Sequence, residues 1–264
     1  PLENLRRGLE NLEDGESWVL QPKCDERNLK LWHPAVKWGV KRGSFSHQTE
    51  FFGPLLSVMK AESLDDAIEI VNDTNYGLTS GLESLDPREQ KIWSEKIKAG
   101  NLYINRVTTG AIVLRQSFGG MGLSAIGAGI KAGSPNYAVQ FCRIEESKPY
   151  GDSPTQGPLR EESPLLYLAR NWQTQLTRNE HAEIRSELQK TIEAIYSCLY
   201  QYEREFSGEQ DFFRLRGQDN LFRYLPIGKV TVRMHPDDGL VETLIRIAAA
   251  RIAKCKVEIS LPPD

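Results

Sequence analysis

The densest group of chemically useful residues is the run Gly110-Ala111-Ile112-Val113-Leu114-Arg115-Gln116-Ser117-Phe118-Gly119-Gly120-Met121-Gly122, with four glycines in thirteen residues. Glycine permits backbone conformations that other residues resist, lets a ligand approach the main chain and leaves N–H groups free to meet an anion. The run is therefore either a loop lining a binding site or a surface loop with tight turns. A second group, Thr49-Glu50-Phe51-Phe52-Gly53-Pro54, sets a carboxylate beside two aromatics just ahead of a turn. Glu50 can accept hydrogen bonds from a sugar diol while an aromatic flanks a flat ring; the alternative is a solvated Glu beside core Phe. A formal G-x-G-x-x-A match at Gly127-Ala128-Gly129-Ile130-Lys131-Ala132 has no apolar strand leading into it. It also lacks an acidic residue about 20 positions on, so it is not taken as a dinucleotide fingerprint. Cys24, Cys142, Cys198 and Cys255 form no C-x-x-C pair, and the four histidines do not cluster with them, which argues against a metal site. Cys142, Cys198 and Cys255 sit in or beside apolar or helical stretches and are expected to be reduced structural thiols. Cys24, in Gln21-Pro22-Lys23-Cys24-Asp25, is the one expected to be exposed enough to react.

Those groups need a scaffold, and the pattern ahead of residue 143 predicts an α/β one. An apolar stretch at 54–59 precedes a helix opened by Ser63, with Asp66 three residues on. In that helix Leu64, Ala67, Ile68 and Val71 form one apolar stripe. A second helix is expected from Asp86-Pro87, with Glu89 completing a capping box, to Gly100. Leu102-Tyr103-Ile104 follows as a strand, and the alternation argues for strands of one sheet joined by helices. The segment 143–164 carries Pro149, Pro154, Pro158 and Pro164 with Gly151 and Gly157, so it is assigned as a linker between domains 1–142 and 165–264. Beyond it, Ile184, Leu188, Ile192, Ile195, Leu199 and Tyr202 share one face of a long helix. A strand at 227–234, a helix at 240–253 and a strand at 257–261 then make one βαβ unit. Alternating Lys229, Thr231 and Arg233 leave one face of its first strand less buried than a central strand would be.

Composition narrows the function classes. A formal net charge of -3, from 33 basic and 36 acidic residues, gives no global field to recruit nucleic acid or an anionic membrane. No apolar run approaches the roughly 18 residues that span a bilayer, and the N-terminus lacks a signal-peptide layout, so the cytoplasm is the expected location.

Several segments carry a family resemblance. Glu50-Phe51-Phe52-Gly53-Pro54 resembles the E-x-F-G-P motif of aldehyde dehydrogenases, as do Asn75-Tyr76-Gly77-Leu78-Thr79-Ser80-Gly81 and Ala99-Gly100-Asn101-Leu102-Tyr103-Ile104-Asn105-Arg106 other segments of that superfamily's catalytic subdomain. The run from Thr108 to Gly120, with Lys131-Ala132-Gly133-Ser134-Pro135-Asn136-Tyr137, is similar more specifically to the glutamate-semialdehyde dehydrogenase module of the proline utilization A family. The resemblance extends from about residue 15 to 142. It implies that Glu50 holds nicotinamide ribose hydroxyls and that Phe52 packs near the nicotinamide of NAD. It also implies that the Gly110 and Ala111 N–H groups bind the α-carboxylate of L-glutamate γ-semialdehyde (1-pyrroline-5-carboxylate when cyclised) and that Phe118 packs on the substrate's aliphatic part. FAD is expected only in a proline dehydrogenase domain outside this chain. Ser117 replaces a usual Pro and Leu123 a usual Lys, which bears on the stiffness of the loop.

The resemblance also implies what this segment does not carry. The family's nucleophilic Cys, general-base Glu and oxyanion-hole Asn belong to a region upstream of the matched segments, so no catalytic residue is assigned here. The chain is expected to be part of a bifunctional proline catabolic enzyme, inactive alone, with the remainder of that enzyme as partner and homo-oligomerisation open. The alternative is a non-catalytic assembly module. Residues 216–230 resemble the start of an aldehyde dehydrogenase NAD-binding domain, as in the duplicated C-terminal extension of long family members. There His235-Pro236-Asp237-Asp238 and Leu261 stand where cofactor-binding residues are usual, so this helical and Rossmann-like βαβ extension is expected not to bind NAD.

Overall fold

The computed structural model describes residues 2–112, 115–127, 129–145, 163–176 and 182–261. The chain divides into two compact units, Pro1–Cys142 and Arg143–Asp264.

The first unit opens with helix α1 (Leu2–Glu10), in which Leu5 and Leu9 lie one turn apart and are both buried. They pack over a three-stranded sheet of β1 (Ser17–Leu20), β2 (Ala35–Trp38) and β3 (Leu55–Val58), with the short helix α2 (Phe45–Gln48) between β2 and β3 in sequence. The central strand β2 is antiparallel to β1 and parallel to β3. Register and the two-residue side-chain period put Trp18, Ala35, Lys37 and Leu55 on the face that meets Leu5, Leu9 and Phe51. Leu20, Val36, Trp38 and Leu56 occupy the other face, where Leu20, Trp38 and Leu56 stay 49%, 49% and 59% exposed.

The covered face holds a buried ion pair. Lys37 Nζ lies 3.1 Å from Glu16 Oε2, and both side chains are almost fully enclosed. The ammonium also donates to Asn11 O and Ser46 Oγ, each at 2.9 Å, and stands 5.1 Å from the Trp18 ring centroid. It thereby links the end of α1, the approach to β1 and helix α2.

The rest of the first unit runs through α3 (Leu64–Asn72), β4 (Tyr76–Gly77), β5 (Thr79–Leu82), α4 (Pro87–Lys96), β6 (Asn101–Ile104), β7 (Met121–Gly122) and a 3-10 turn at Ala138–Phe141. Strands β5 and β6 pair in parallel and β4 and β7 antiparallel, so the single sheet expected from the sequence is three separate small sheets. Alternation of helices and strands reports local structure but not which edges meet, and here β2 and β5 find different neighbours.

Ile68, Trp93 and Ile97 make the core between α3 and α4, with Leu64, Leu82 and Leu102 against it. Val71, assigned to the same stripe, lies outside that cluster and is 44% exposed. Ser63 caps α3 by accepting from the Asp66 N–H at 3.1 Å, while Asp66 reaches one residue past the cap to the Glu62 N–H. At α4 the box is relayed: the Asp86 N–H donates to Ser84 Oγ, which donates to Glu89 Oε2. Helix α4 ends at Lys96, short of the expected Gly100, because Ile97 turns extended (ψ 134°) and drops its side chain into the core.

The second unit contains α5 (Pro164–Gln175), α6 (Ala182–Gln201) running on into a π-helical turn at Tyr202–Phe206, β8 (Lys229–Arg233), α7 (Leu240–Ile252) and β9 (Lys256–Ser260). Pro164, placed in the linker from sequence, is instead the first residue of α5, a position where its missing N–H costs nothing. Most of the expected linker, 146–162, lies outside the described residues. Leu166, Ala169, Ile192, Ile195, Ala248 and Ile252 form the core of this unit, while Ile184, the first member of the α6 stripe, is 41% exposed. Strands β8 and β9 are parallel and joined by α7, with Val232 buried and Lys229, Thr231 and Arg233 exposed, as the alternation predicts.

Candidate functional site

Two loops of the first unit carry the sequence-predicted site residues. Residues 50–54 connect α2 to β3. Phe51 anchors this loop in the core, edge-on to Phe45 at 5.7 Å between centroids. It packs so tightly on Gly8 that a Cβ there would lie 2.6 Å from the ring. With Phe51 held inside, the chain turns through Phe52 at φ +49°, a left-handed conformation that is strained for a bulky side chain. The Phe52 ring is 83% exposed, and Glu50 is exposed as well. The sequence left open whether the aromatics were core or ligand-facing, and the two divide the roles. Helix α2, from which the loop departs, is fixed by Lys37 at Ser46 and by a 2.9 Å contact between His47 Nε2 and Ile70 O.

The second loop leaves β6 and returns at β7. Gly110 has φ +90°, with open space where a Cβ would stand, and Ala111 is half-buried. The Arg115 and Gln116 N–H groups both donate to Ile112 O, at 2.9 and 3.1 Å, while Val113 and Leu114 lie outside the described residues. Phe118 is 39% exposed, and its main chain is fixed on both edges. Its N–H donates to Ala132 O at 3.0 Å and its carbonyl accepts from the Ala132 N–H at 2.9 Å. On the other side Asn101, 2% exposed, donates from Nδ2 to Ser117 O at 2.8 Å and accepts at Oδ1 from the Gly119 N–H at 3.1 Å. Stiffness that a proline would have given at position 117 thus comes from a side chain bonded to the Ser117 carbonyl. Lys131 Nζ donates to Gly100 O, to Gly119 O at 3.1 Å and to Asn101 Oδ1 at 3.3 Å. Burial lowers the Lys131 pKa to about 8. Close approach demands glycine at 100, since a Cβ there would fall 1.8 Å from Gly119 O.

The two loops rest on different sheets: Glu50 and Phe52 lead into β3, whereas Gly110, Ala111 and Phe118 hang between β6 and β7. Exposed carboxylate and aromatic fit a ribose diol and a flat heterocycle, and a loop with left-handed glycine fits an anion. Gly127 and Gly129, of the rejected fingerprint, have left-handed φ in a loop between β7 and the 3-10 turn; Ala128 lies outside the described residues. Cys24 is half-buried, with its Sγ toward Asp25 O, and Cys142 is the exposed thiol, the reverse of the sequence expectation. Cys24 is drawn in by its bridge to Trp32, whereas Cys142 follows the 3-10 turn at the edge of the unit. Cys198 is pushed up by burial and Cys255 is buried. Among the described residues no group of three His, Cys, Asp or Glu could hold a metal, and no helix is long and apolar enough to cross a membrane.

Sequence reasoning missed Asn101, Lys131 and the Glu16–Lys37 pair. The one available signal was a polar residue opening an apolar strand at Asn101 and a lone lysine inside a glycine-rich stretch at 131.

The chain belongs to the aldehyde dehydrogenase family, whose model matches residues 3–146. It is similar to proline utilization A from Corynebacterium freiburgense, with 36% identity and a TM-score of 0.76 over 98% of this chain and 24% of that one. A 1-pyrroline-5-carboxylate dehydrogenase of Geobacillus sp. (strain WCH70) is 45% identical over 106 residues, 40% of this chain and 20% of the relative. One from Thermus with bound NAD is 36% identical over 53% of this chain and 28% of that one, at a TM-score of 0.47. The chain spans about a fifth of the length of the curated relatives it matches.

Proposed function

We propose that the first unit supplies the cofactor- and substrate-binding loops of an NAD-dependent L-glutamate γ-semialdehyde dehydrogenase within a bifunctional proline catabolic enzyme. The observation that carries this is the Gly110–Phe118 loop. It sets a left-handed glycine with open space at its Cα beside a Phe118 whose main chain is bonded on both sides, an arrangement suited to a carboxylate and an aliphatic chain in one ligand. Glu50 would accept hydrogen bonds from the nicotinamide ribose, and Phe52, presented by a strained turn, would pack beside the nicotinamide. The chemistry that bound NAD would supply is acceptance of a hydride. Gly110 and Ala111 orient the aldehyde through its α-carboxylate, and Phe118 shields its methylene groups from water. The nucleophilic thiol and general base are assigned to the remainder of the parent enzyme.

The second unit is read as a duplicated aldehyde-dehydrogenase-like extension that does not bind cofactor. Supporting this, the turn after β8 is closed on itself: Asp238 accepts from the His235 N–H at 2.8 Å and pairs with Arg246 at 2.7 Å. Within the first unit the described residues leave one face of β1, β2 and β3 largely open, which favours an assembly role alongside binding, with the remainder of the parent enzyme as the occupant.

The test is a split in Michaelis constants, measured in this chain joined to the remainder of the Geobacillus relative. Gly110→Ala keeps its N–H but strains the φ +90° backbone that aims it, and is expected to raise the aldehyde KM about tenfold with little effect on the NAD KM. Glu50→Gln is expected to raise the NAD KM about tenfold and spare the aldehyde. Equal effects on both constants would contradict the assignment.

A further inference from the structure

We infer that Lys131 is a positioning residue for the substrate loop, its ammonium setting the orientation of the Asn101 amide and thereby the place of Phe118. The inference deepens the proposed function and rests on that loop being the substrate loop. The loop begins at β6 and ends at β7, strands of two different sheets, so its ends alone do not fix its middle. What fixes it is Asn101, whose side chain brackets Phe118 through Ser117 O and the Gly119 N–H. An Asn amide has two nearly isosteric orientations, and only one makes both of these bonds. Lys131 selects that orientation, because an ammonium is a donor only and faces Oδ1, leaving Nδ2 toward Ser117 O. The same ammonium bonds Gly119 O and Gly100 O, so it ties the loop to the residue just ahead of β6 directly as well as to β6 through Asn101. Gly119 is shaped for the contact: a Cβ there would lie 3.1 Å from Lys131 Cα and 3.2 Å from its Cγ. Replacing the ammonium with an apolar group leaves carbonyl oxygens without their donor and removes the bias on the amide. Lys131 also carries Ala132, whose main chain pairs with Phe118, so one segment holds the aromatic from two directions.

Amide hydrogen exchange on the full 264-residue chain tests this without substrate, which keeps it separate from the functional reading. Lys131→Met is expected to speed exchange about tenfold or more across 115–123, the least that loss of its three charge-assisted hydrogen bonds would give, while peptides from α3 and α4 are unchanged. Lys131→Cys treated with 2-bromoethylamine regains an aminoethyl side chain of nearly lysine length. It is expected to restore slow exchange, with wild type treated in the same way controlling for the native thiols. Unchanged loop exchange in Lys131→Met overturns the inference. So does acceleration spread over the whole first unit, a chain that no longer folds, or failure of the aminoethyl group to restore protection. If Gly110→Ala leaves the aldehyde KM unchanged, the functional reading falls and the exchange result stands.

Discussion

Phe51 and Phe52 are identical neighbours with opposite surroundings, one in the core beneath α1 and the other 83% exposed at φ +49°. Phe51→Ala is expected to cost about 3–5 kcal/mol in urea unfolding, through lost burial and a cavity beside Gly8. Phe52→Gly is expected to be neutral or to stabilise by up to about 1 kcal/mol, because glycine relieves the left-handed strain while little burial is lost. The reverse ranking would mean that the ring at 52 is structural. Glycines divide in the same way. Gly100→Ala forces a methyl onto Gly119 O and is expected to cost about 2 kcal/mol or more, whereas Gly110→Ala meets open space and costs only its backbone strain, about 1–2 kcal/mol. Residue types named both loops in advance. They did not say which Phe was buried, because that depends on the long-range packing of Phe51 against Gly8 and α1. A Cβ at Gly53 would sit 2.5 Å from Leu5.

At the scale of elements, a buried lysine and a half-buried one stand behind the two loops: Lys37 fixes α2 ahead of Glu50, and Lys131 fixes the main chain beside Phe118. Breaking the Glu16–Lys37 pair with Lys37→Met is expected to cost about 3–5 kcal/mol, since Glu16 would then be a buried charge without its counter-ion. Glu16→Leu combined with Lys37→Met is expected to recover much of that loss, and additive losses in denaturant titrations would contradict this. In the second unit, Asp211 accepts from the Phe213, Arg214 and Asn220 N–H groups, and these backbone hydrogen bonds hold its carboxyl below the ordinary 3.8. Its contribution to stability is therefore complete above the unfolded-state value and is lost as pH falls through the lowered folded value. The three amide resonances should shift together in acid, and Asp211→Asn should abolish that titration; an unchanged titration in the variant would assign it elsewhere. Helices α3 and α4 were legible because their caps are local. Sheet membership was not, because strand pairing is decided at long range. The lysines were missed because a lysine is normally solvated and only tertiary contacts reveal one that is enclosed.

At the largest scale, Leu20, Val36, Trp38 and Leu56 make an apolar sheet face that the described residues of the first unit leave largely open. Alone, the chain is expected to self-associate through it, with sedimentation depending on concentration, and Trp38→Lys with Leu56→Lys should suppress the effect. A monodisperse wild-type chain at high concentration would show that this face needs no cover. Family membership was legible because E-x-F-G-P and the glycine-rich run fix backbone and ligand chemistry together. The bare face was not, because its residues look like an ordinary buried strand until the sheet is built. As proposed, the first unit contributes binding loops and the nucleophile comes from the remainder of the parent enzyme. NADH formation from L-glutamate γ-semialdehyde, measured with the chain alone and with the chain joined to the remainder of the Geobacillus relative, tests it most directly. Turnover only in the joined enzyme, impaired by Gly110→Ala at the aldehyde KM, is the predicted result. Turnover by the chain alone would contradict it, and the thiols of Cys24 and Cys142 would then be the groups to replace.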